Sequence, residues 1–76
     1  MDWKQIEAHW SQLRRTAKLR WEALTDDDWA RIDGKCDALI GTLQLRYGKG
    51  KDEIEDDVAR WALREVRRIR MLKTLH

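Results

Sequence analysis

The sequence contains no proline, no phenylalanine and a single cysteine. One cysteine excludes an intramolecular disulfide, and His9 and His76 stand at positions poorly suited to complete a metal site with Cys36. No run of about 18 apolar residues occurs that would span a membrane. Charged residues at positions 2, 4 and 7 interrupt the apolar stretch that a secretory signal needs, so we expect a cytoplasmic protein without a disulfide, metal or cofactor.

Length and composition favour one small helical domain. The 76 residues leave room for a single core, so we assign residues 1–76 to one domain. The five tryptophans are suited to filling that core, because each indole buries about 150–250 Å². Alanine, leucine, arginine, lysine, glutamate and glutamine dominate the rest and favour helix nearly everywhere.

Apolar residues recur every three or four positions in three segments, which is the period of a helix packed against a core. The first segment predicts a helix over residues 3–23, the second begins after residue 25, and the third covers residues 51–73. The three inward faces are Ile6, Trp10, Leu13, Ala17, Trp21 and Leu24; then Trp29, Ile32, Cys36, Leu39, Ile40, Leu43 and Tyr47; then Ile54, Val58, Trp61, Val66 or Glu65, Ile69 and Leu72. Trp3 lies off the first stripe and is expected to pack only against the helix end. These stripes predict an all-α bundle of four or five helices.

Capping residues mark the ends of the predicted helices. Thr25 is a good N-cap whose hydroxyl can accept a hydrogen bond from the N–H of Asp28, and the helix dipole favours acids in the first turn. The Asp33-Gly34 pair interrupts the second stripe and is expected to split it into a short helix and a longer one over residues 35–47. Gly48 suits the left-handed position that ends this helix.

No constellation of residues points to catalysis. Asp26-Asp27-Asp28 lacks the spacing of a calcium loop, so we interpret these acids, like those in residues 52–57, as helix-capping and solvated. Cys36 lies on an apolar stripe, so we expect a buried, inert thiol. No phosphate-binding glycine loop is present. The tryptophans on the stripes are more consistent with a core than with base-stacking platforms.

Charge is unevenly distributed along the chain. Residues 25–59 carry five bases and ten acids, whereas residues 60–76 carry six bases and one acid. The six bases are the candidate contacts to nucleic acid or an anionic surface: Arg60, Arg64, Arg67, Arg68, Arg70 and Lys73. Two interpretations stay open, a phosphate-binding face and a solvated helix end, because arginine also suits a helix C-terminus.

The connection around Gly48-Lys49-Gly50 raises a separate possibility for phosphate binding. It resembles, weakly, the hairpin of helix-hairpin-helix modules, in which glycines let backbone N–H groups approach a phosphate. The five acids that follow it would repel such a group.

Several motifs together resemble the CsbD-like family of small bacterial proteins. The match covers about two thirds of the chain. It comprises Trp10-Ser11-Gln12-Leu13, Trp21-Glu22-Ala23-Leu24-Thr25-Asp26-Asp27-Asp28, Ile32 through Gly41, Leu43-Gln44, Arg46-Tyr47-Gly48 and the closing Trp61.

This resemblance implies a bacterial, cytoplasmic protein of the general stress response without an assigned biochemical activity. It also implies two helical hairpins packed roughly orthogonally, as in SAM-domain-like bundles. The sequence departs from the family at Arg14-Arg15 and Lys18-Leu19-Arg20, where glycine and lysine are usual, and in an arginine-rich tail after Trp61.

We therefore expect a non-enzymatic stress-response protein that is a monomer. The alternatives are a nucleic-acid or anionic-surface binder acting through the basic C-terminal helix, and a protein-protein interaction module. We also hypothesise that Gly41, which costs helix stability, is present because it admits a tryptophan or a crossing helix.

Overall fold

Helix is the only regular secondary structure in residues 3–74, the part of the chain that the computed structural model describes; side chains are described from Trp3 to Met71. The five helices are α1 (Trp3–Ala8), α2 (Trp10–Arg20), α3 (Asp26–Ile32), α4 (Cys36–Tyr47) and α5 (Lys51–Thr74). This confirms the predicted all-α bundle. In sequence order α1 packs on α2, α3 on α4 and α4 on α5, and α1 also contacts α5. The orthogonal arrangement of two hairpins stays a prediction.

The first helix is shorter than predicted and is interrupted. Instead of one helix over residues 3–23, the chain forms α1 and α2 on either side of His9, whose φ of −108° and ψ of 20° lie outside the helical region. The imidazole Nδ1 lies 2.9 Å from the carbonyl oxygen of Gln5, which also accepts the backbone N–H of His9. At its other end α2 stops at Arg20, because Trp21 leaves the helical conformation.

The boundaries around α3 and α4 agree with the capping predictions. The Thr25 hydroxyl accepts the N–H of Asp28 at 3.1 Å, and the Asp28 carboxylate accepts the N–H of Thr25 at 3.0 Å, which forms a capping box. The predicted split is confirmed: Asp33 and Gly34 both have positive φ, of 44° and 79°. Gly48 ends α4 in the left-handed region with φ of 63°.

The core is built around Trp61 of α5. Its ring centroid lies 5.3 Å from that of Trp21, 6.3 Å from that of Trp3 and 6.5 Å from that of Trp10. The predicted core positions of all four stripe tryptophans, the fourth being Trp29, are confirmed, with exposures of 3–8%. Such indoles have no free face on which a nucleic-acid base could stack.

Trp3 does more than pack against a helix end. Besides the ring contact with Trp61, its indole N–H donates to the carbonyl oxygen of Gly34 at 2.7 Å. This bond joins α1 to the α3–α4 connection, so the prediction for Trp3 was wrong.

The inward face of α4 is narrower than predicted. Leu39 and Leu43 are fully buried, but Cys36 and Ile40 are only partly buried and Tyr47 is exposed. Burial, followed by the nearby charges of Asp37 and Glu55, raises the pKa of the Cys36 thiol, so the half-buried cysteine has little thiolate character.

Gly34, and not Gly41, makes the close approach to a tryptophan. A Cβ added at Gly34 would lie 3.1 Å from Cγ of Trp10, whereas one added at Gly41 would meet nothing within 4 Å. The hypothesis for Gly41 was therefore wrong. Since Gly34 also has a positive φ, glycine is favoured there on two grounds, the close approach of Trp10 and the backbone conformation.

α5 buries the predicted face over most of its length. Ile54, Val58, Trp61 and both of the alternatives, Glu65 and Val66, are buried, and Ile69 packs against the core. Leu72 was also predicted to point inward, but its side chain lies outside the described residues. Among the described helices none combines the length and apolar character needed to cross a membrane.

Candidate anion-binding surface

The second half of α5 presents a basic face to solvent. Because Trp61, Glu65 and Ile69 point to the core, the helical period places the opposite residues outward. We call the following exposed residues the outer face of α5: Arg60, Leu63, Arg64, Arg67 and Met71. Arg68 and Arg70 are also exposed and flank this face on its two sides. The outer face therefore contains three of the six predicted bases.

Some of these arginines have an acidic partner within the helix. Arg60 is paired with Asp56 at 2.7 Å, and Arg68 lies 3.6 Å from the buried carboxylate of Glu65. Arg70 also interacts with a neighbouring group. In Arg60 and Arg68 part of the charge is therefore balanced by an acid of the same helix.

Arg64 and Arg67 differ from them. Within the described residues neither forms an ion pair of 4 Å or less. The sequence explains this, since positions three and four residues away from Arg64 and Arg67 are arginine or apolar. Like charges at such spacings destabilise a helix by about 0.2–0.5 kcal/mol per pair, so the outer face carries repulsion that a bound anion would relieve.

Lys73 is the last of the six predicted bases, and the position of its side chain on this surface is not described. Its backbone is part of α5, but its side chain lies outside the described residues. The surface therefore rests on the arginines from Arg60 to Arg70.

Sequence reasoning missed a charged cluster around Asp28. This residue was interpreted as solvated, yet it is 3% exposed. Its carboxylate accepts two hydrogen bonds from Arg46, at 2.8 and 2.9 Å, and one from Arg31 at 3.0 Å. The hydrogen bonds from Arg46 and from the backbone of Thr25 hold the pKa of Asp28 far below its usual range. The capping pattern predicted the bond with Thr25, but nothing local indicated Arg46, which lies 18 residues away.

Asp57 is a second acid whose carboxylate accepts hydrogen bonds from other parts of the protein. Its carboxylate accepts the indole N–H of Trp21 at 2.9 Å and a hydrogen bond from Arg20. Burial opposes ionisation, but these two hydrogen bonds outweigh it and lower the pKa of Asp57. The carboxylate thus ties the end of α2 to the first half of α5.

A cleft of about 440 Å³ lies beside this contact, between the ends of α2 and α4 and the start of α5. Its charged lining residues are Arg20, Lys49, Glu53, Asp56, Asp57 and Arg60, three bases and three acids. With no excess of either sign, the cleft is less suited to an anion than the outer face. In the described part of the chain no three acidic, histidine or cysteine side chains are grouped so that they could hold a metal ion.

The Gly48–Gly50 connection offers fewer donors to a phosphate than its sequence suggests. The N–H of Gly48 already donates to the carbonyl oxygen of Gln44 at 2.9 Å. Two acids, Asp52 and Glu53, occupy the first turn of α5 directly after the connection. The hairpin interpretation stays a prediction, and it is weaker than that for the outer face.

The chain is similar to several curated bacterial proteins. It is 46% identical over 61 residues to a UPF0337 protein of Rhodopseudomonas palustris, a match that covers 80% of this chain and 92% of the relative. It is 41% identical over 64 residues to the UPF0337 protein YjbJ of Escherichia coli K12, covering 84% and 93% of the two chains. A UPF0337 protein of Pectobacterium atrosepticum is 43% identical over 61 residues, covering 80% and 88%. No family model and no solved structure matches significantly.

Proposed function

Because the chain belongs to the UPF0337, or CsbD-like, family, we propose that it is a non-enzymatic protein of the bacterial general stress response that acts by binding an anionic partner. The stress role is what the CsbD-like resemblance implies. The binding role comes from the surface of α5. The names of the relatives assign no activity that would favour a different role.

The observation that carries the binding role is the pair Arg64 and Arg67. Both guanidinium groups are exposed, neither has an acidic partner in the described residues, and they stand one turn apart on one helix face. Guanidinium groups bind phosphate and carboxylate groups through paired hydrogen bonds, so this spacing suits an array of anions.

The non-enzymatic part of the proposal is supported by the state of the reactive side chains. The Cys36 thiol has a raised pKa, which disfavours the nucleophilic thiolate. Asp28 and Asp57 are held ionised by arginine and indole partners, which disfavours a role as a general acid near neutral pH. These groups act in folding, and the exposed bases remain for binding.

The proposal is tested by titrating the protein against mixed-sequence duplex DNA and against vesicles rich in phosphatidylglycerol. The test variant is Arg64→Gln/Arg67→Gln, and the matched control is Arg14→Gln/Arg15→Gln, which removes the same charge from exposed positions on α2. We expect binding to at least one of these anions that weakens steeply between about 50 and 200 mM salt. Each arginine near an anionic surface contributes about 1 kcal/mol, so the test variant should bind about 30-fold more weakly.

Two results would overturn the binding role. One is the absence of salt-dependent binding to either anion at the lower salt concentration. The other is an equal loss of affinity in the α2 control, because it would reflect net charge and not the outer face of α5.

The stress role has its own test, the abundance of the protein in its own bacterium before and after osmotic or ethanol stress. We expect the abundance to rise with stress. A constant level in all conditions would contradict the stress role without affecting the binding role.

A further inference from the structure

We infer that the anionic partner is a lipid surface, against which the outer face of α5 lies lengthwise. This inference rests on the proposed function, since it names the partner of the same surface. The lipid surface also gives a binding role to Leu63 and Met71, two apolar side chains that cannot bind an anion by charge.

Leu63 and Met71 are the two apolar residues of the outer face of α5. They are 55% and 65% exposed, and both belong to the outer face, together with Arg64 and Arg67. They are eight positions apart, which corresponds to about 12 Å along the helix axis. The outer face therefore carries both guanidinium groups and exposed apolar side chains over about two turns.

This combination of charged and apolar side chains fits the headgroup region of a bilayer. Phosphate groups at the surface can bind Arg64 and Arg67, while Leu63 and Met71 enter the boundary with the acyl chains. Arginine side chains are long enough to keep the charged group at the phosphate level while the helix axis lies close to the surface. A lipid surface would therefore bind both the arginines and the apolar side chains of the outer face.

Nucleic acid would use only half of this surface. Phosphates would bind the arginines, but apolar side chains gain little along a sugar-phosphate backbone. Sequence-tolerant binding of single strands needs exposed aromatic rings, and four of the five tryptophans are buried while Trp3 is packed against the core. Tyr47 is exposed, but it lies in α4, outside the basic face.

The geometry also indicates that the bundle stays folded on the lipid. The apolar face formed by Trp61, Ala62 and Val66 remains in the core, because the surface that meets the lipid is the opposite one. Only two apolar side chains insert, so the binding should be reversible and should require anionic lipid.

The experiment compares vesicles of phosphatidylcholine with and without phosphatidylglycerol, and duplex DNA, by co-sedimentation and gel shift. The test variant is Leu63→Gln/Met71→Gln, which removes the apolar groups and keeps every arginine and a good helix former. The matched control is Leu19→Gln/Leu45→Gln, two leucines that are 72% and 75% exposed on α2 and α4. Helicity and melting temperature are measured for each variant.

We expect wild type to bind the anionic vesicles and not pure phosphatidylcholine. The Leu63→Gln/Met71→Gln variant should bind anionic vesicles roughly 10-fold more weakly, since two partly inserted side chains are lost. The leucine control should bind as wild type does.

Equal vesicle binding by wild type and Leu63→Gln/Met71→Gln would overturn the lipid inference. So would salt-dependent binding to DNA with no binding to anionic vesicles, although that result would leave the proposed function intact. Absence of binding to both anions would overturn both.

Discussion

Arg46, in the last turn of α4, and Arg67, in the second half of α5, are both exposed, but the charges of their neighbours differ. Arg46 donates two hydrogen bonds to the buried carboxylate of Asp28. Arg67 has arginines and apolar residues at every position three or four away in the helix, and no ion pair in the described residues. Arginine therefore stabilises the fold at the end of α4, whereas on the outer face of α5 it is available for binding.

The regions around these two arginines differ in the same way. In the interior, the Asp57 carboxylate accepts the indole N–H of Trp21, and the Gly34 carbonyl oxygen accepts that of Trp3. Two arginines donate hydrogen bonds to the carboxylate of Asp28. On the outer face of α5, like charges stand together and apolar groups face solvent. Substitutions in the interior should reduce stability, whereas substitutions on the outer face should reduce binding.

The largest effect on stability is expected for Trp61→Ala. Trp61 contacts three other indoles and is 5% exposed, and truncation of such a residue costs about 3–5 kcal/mol. A domain of this size is stabilised by only about 4–11 kcal/mol, so we expect the variant to be largely unfolded by urea at concentrations that leave wild type folded.

The matched variant Trp61→Phe should be much milder. The indole N–H of Trp61 has no hydrogen-bond partner within the described structure, so phenylalanine loses packing volume but no bond. Trp21→Phe loses the bond to Asp57 as well and should be the more destabilising of the two. The reverse order in urea unfolding would contradict the assignment of these contacts.

A smaller loss of stability is expected for Asp28→Asn, which removes the charge that Arg46 and Arg31 bind. Its control is Asp27→Asn, an exposed acid in the same first turn of α3. We expect thermal unfolding to show a clearly lower melting temperature for Asp28→Asn and little change for Asp27→Asn. Equal melting temperatures of the two variants would mean that the Arg46 pair does not support the fold.

The Asp28 contribution should also depend on pH, with a defined sign. The folded-state pKa of Asp28 is lowered below that of the unfolded chain, so its contribution is fully present above the ordinary carboxylate pKa of about 4. It is lost as the pH falls toward the folded-state pKa. The difference in melting temperature between wild type and Asp28→Asn should therefore shrink in acid, and a difference that grows there would contradict this sign.

Gly34→Ala and Gly41→Ala should have smaller effects of opposite sign. Alanine at Gly34 meets Trp10 and must adopt a positive φ, which costs about 1–3 kcal/mol. Alanine at Gly41 meets no neighbour within 4 Å and gains up to about 1 kcal/mol of helix propensity. Chemical denaturation of the two variants checks this, and a destabilised Gly41→Ala would restore the packing role that the structure removes.

Local patterns in the sequence predicted most of the fold. Residues three and four apart share a helix face, so the stripes located Trp10, Trp21, Trp29 and Trp61 in the core, and the Thr25 cap located the start of α3. The basic segment of α5 was likewise apparent from composition. These features depend on neighbours within a few residues.

The features that the sequence did not predict depend on distant partners. Trp3 and Gly34 are separated by 31 residues and Asp28 and Arg46 by 18. The early end of α2 accompanies the bond between Trp21 and Asp57, 36 residues apart. The pair of Arg46 with Asp28 and the approach of Gly34 to Trp10 are set by such distant contacts, which the local sequence pattern does not show.

The smallest effect on stability is expected for Arg64→Gln/Arg67→Gln, the variant that also tests the binding role of the outer face of α5. Its melting temperature and its affinity for anionic vesicles and DNA should be measured on the same protein sample. We expect an unchanged or slightly higher melting temperature, because like-charge repulsion is relieved, together with a large loss of anion binding. A lower melting temperature with unchanged binding would show that these arginines serve the fold and would contradict the account.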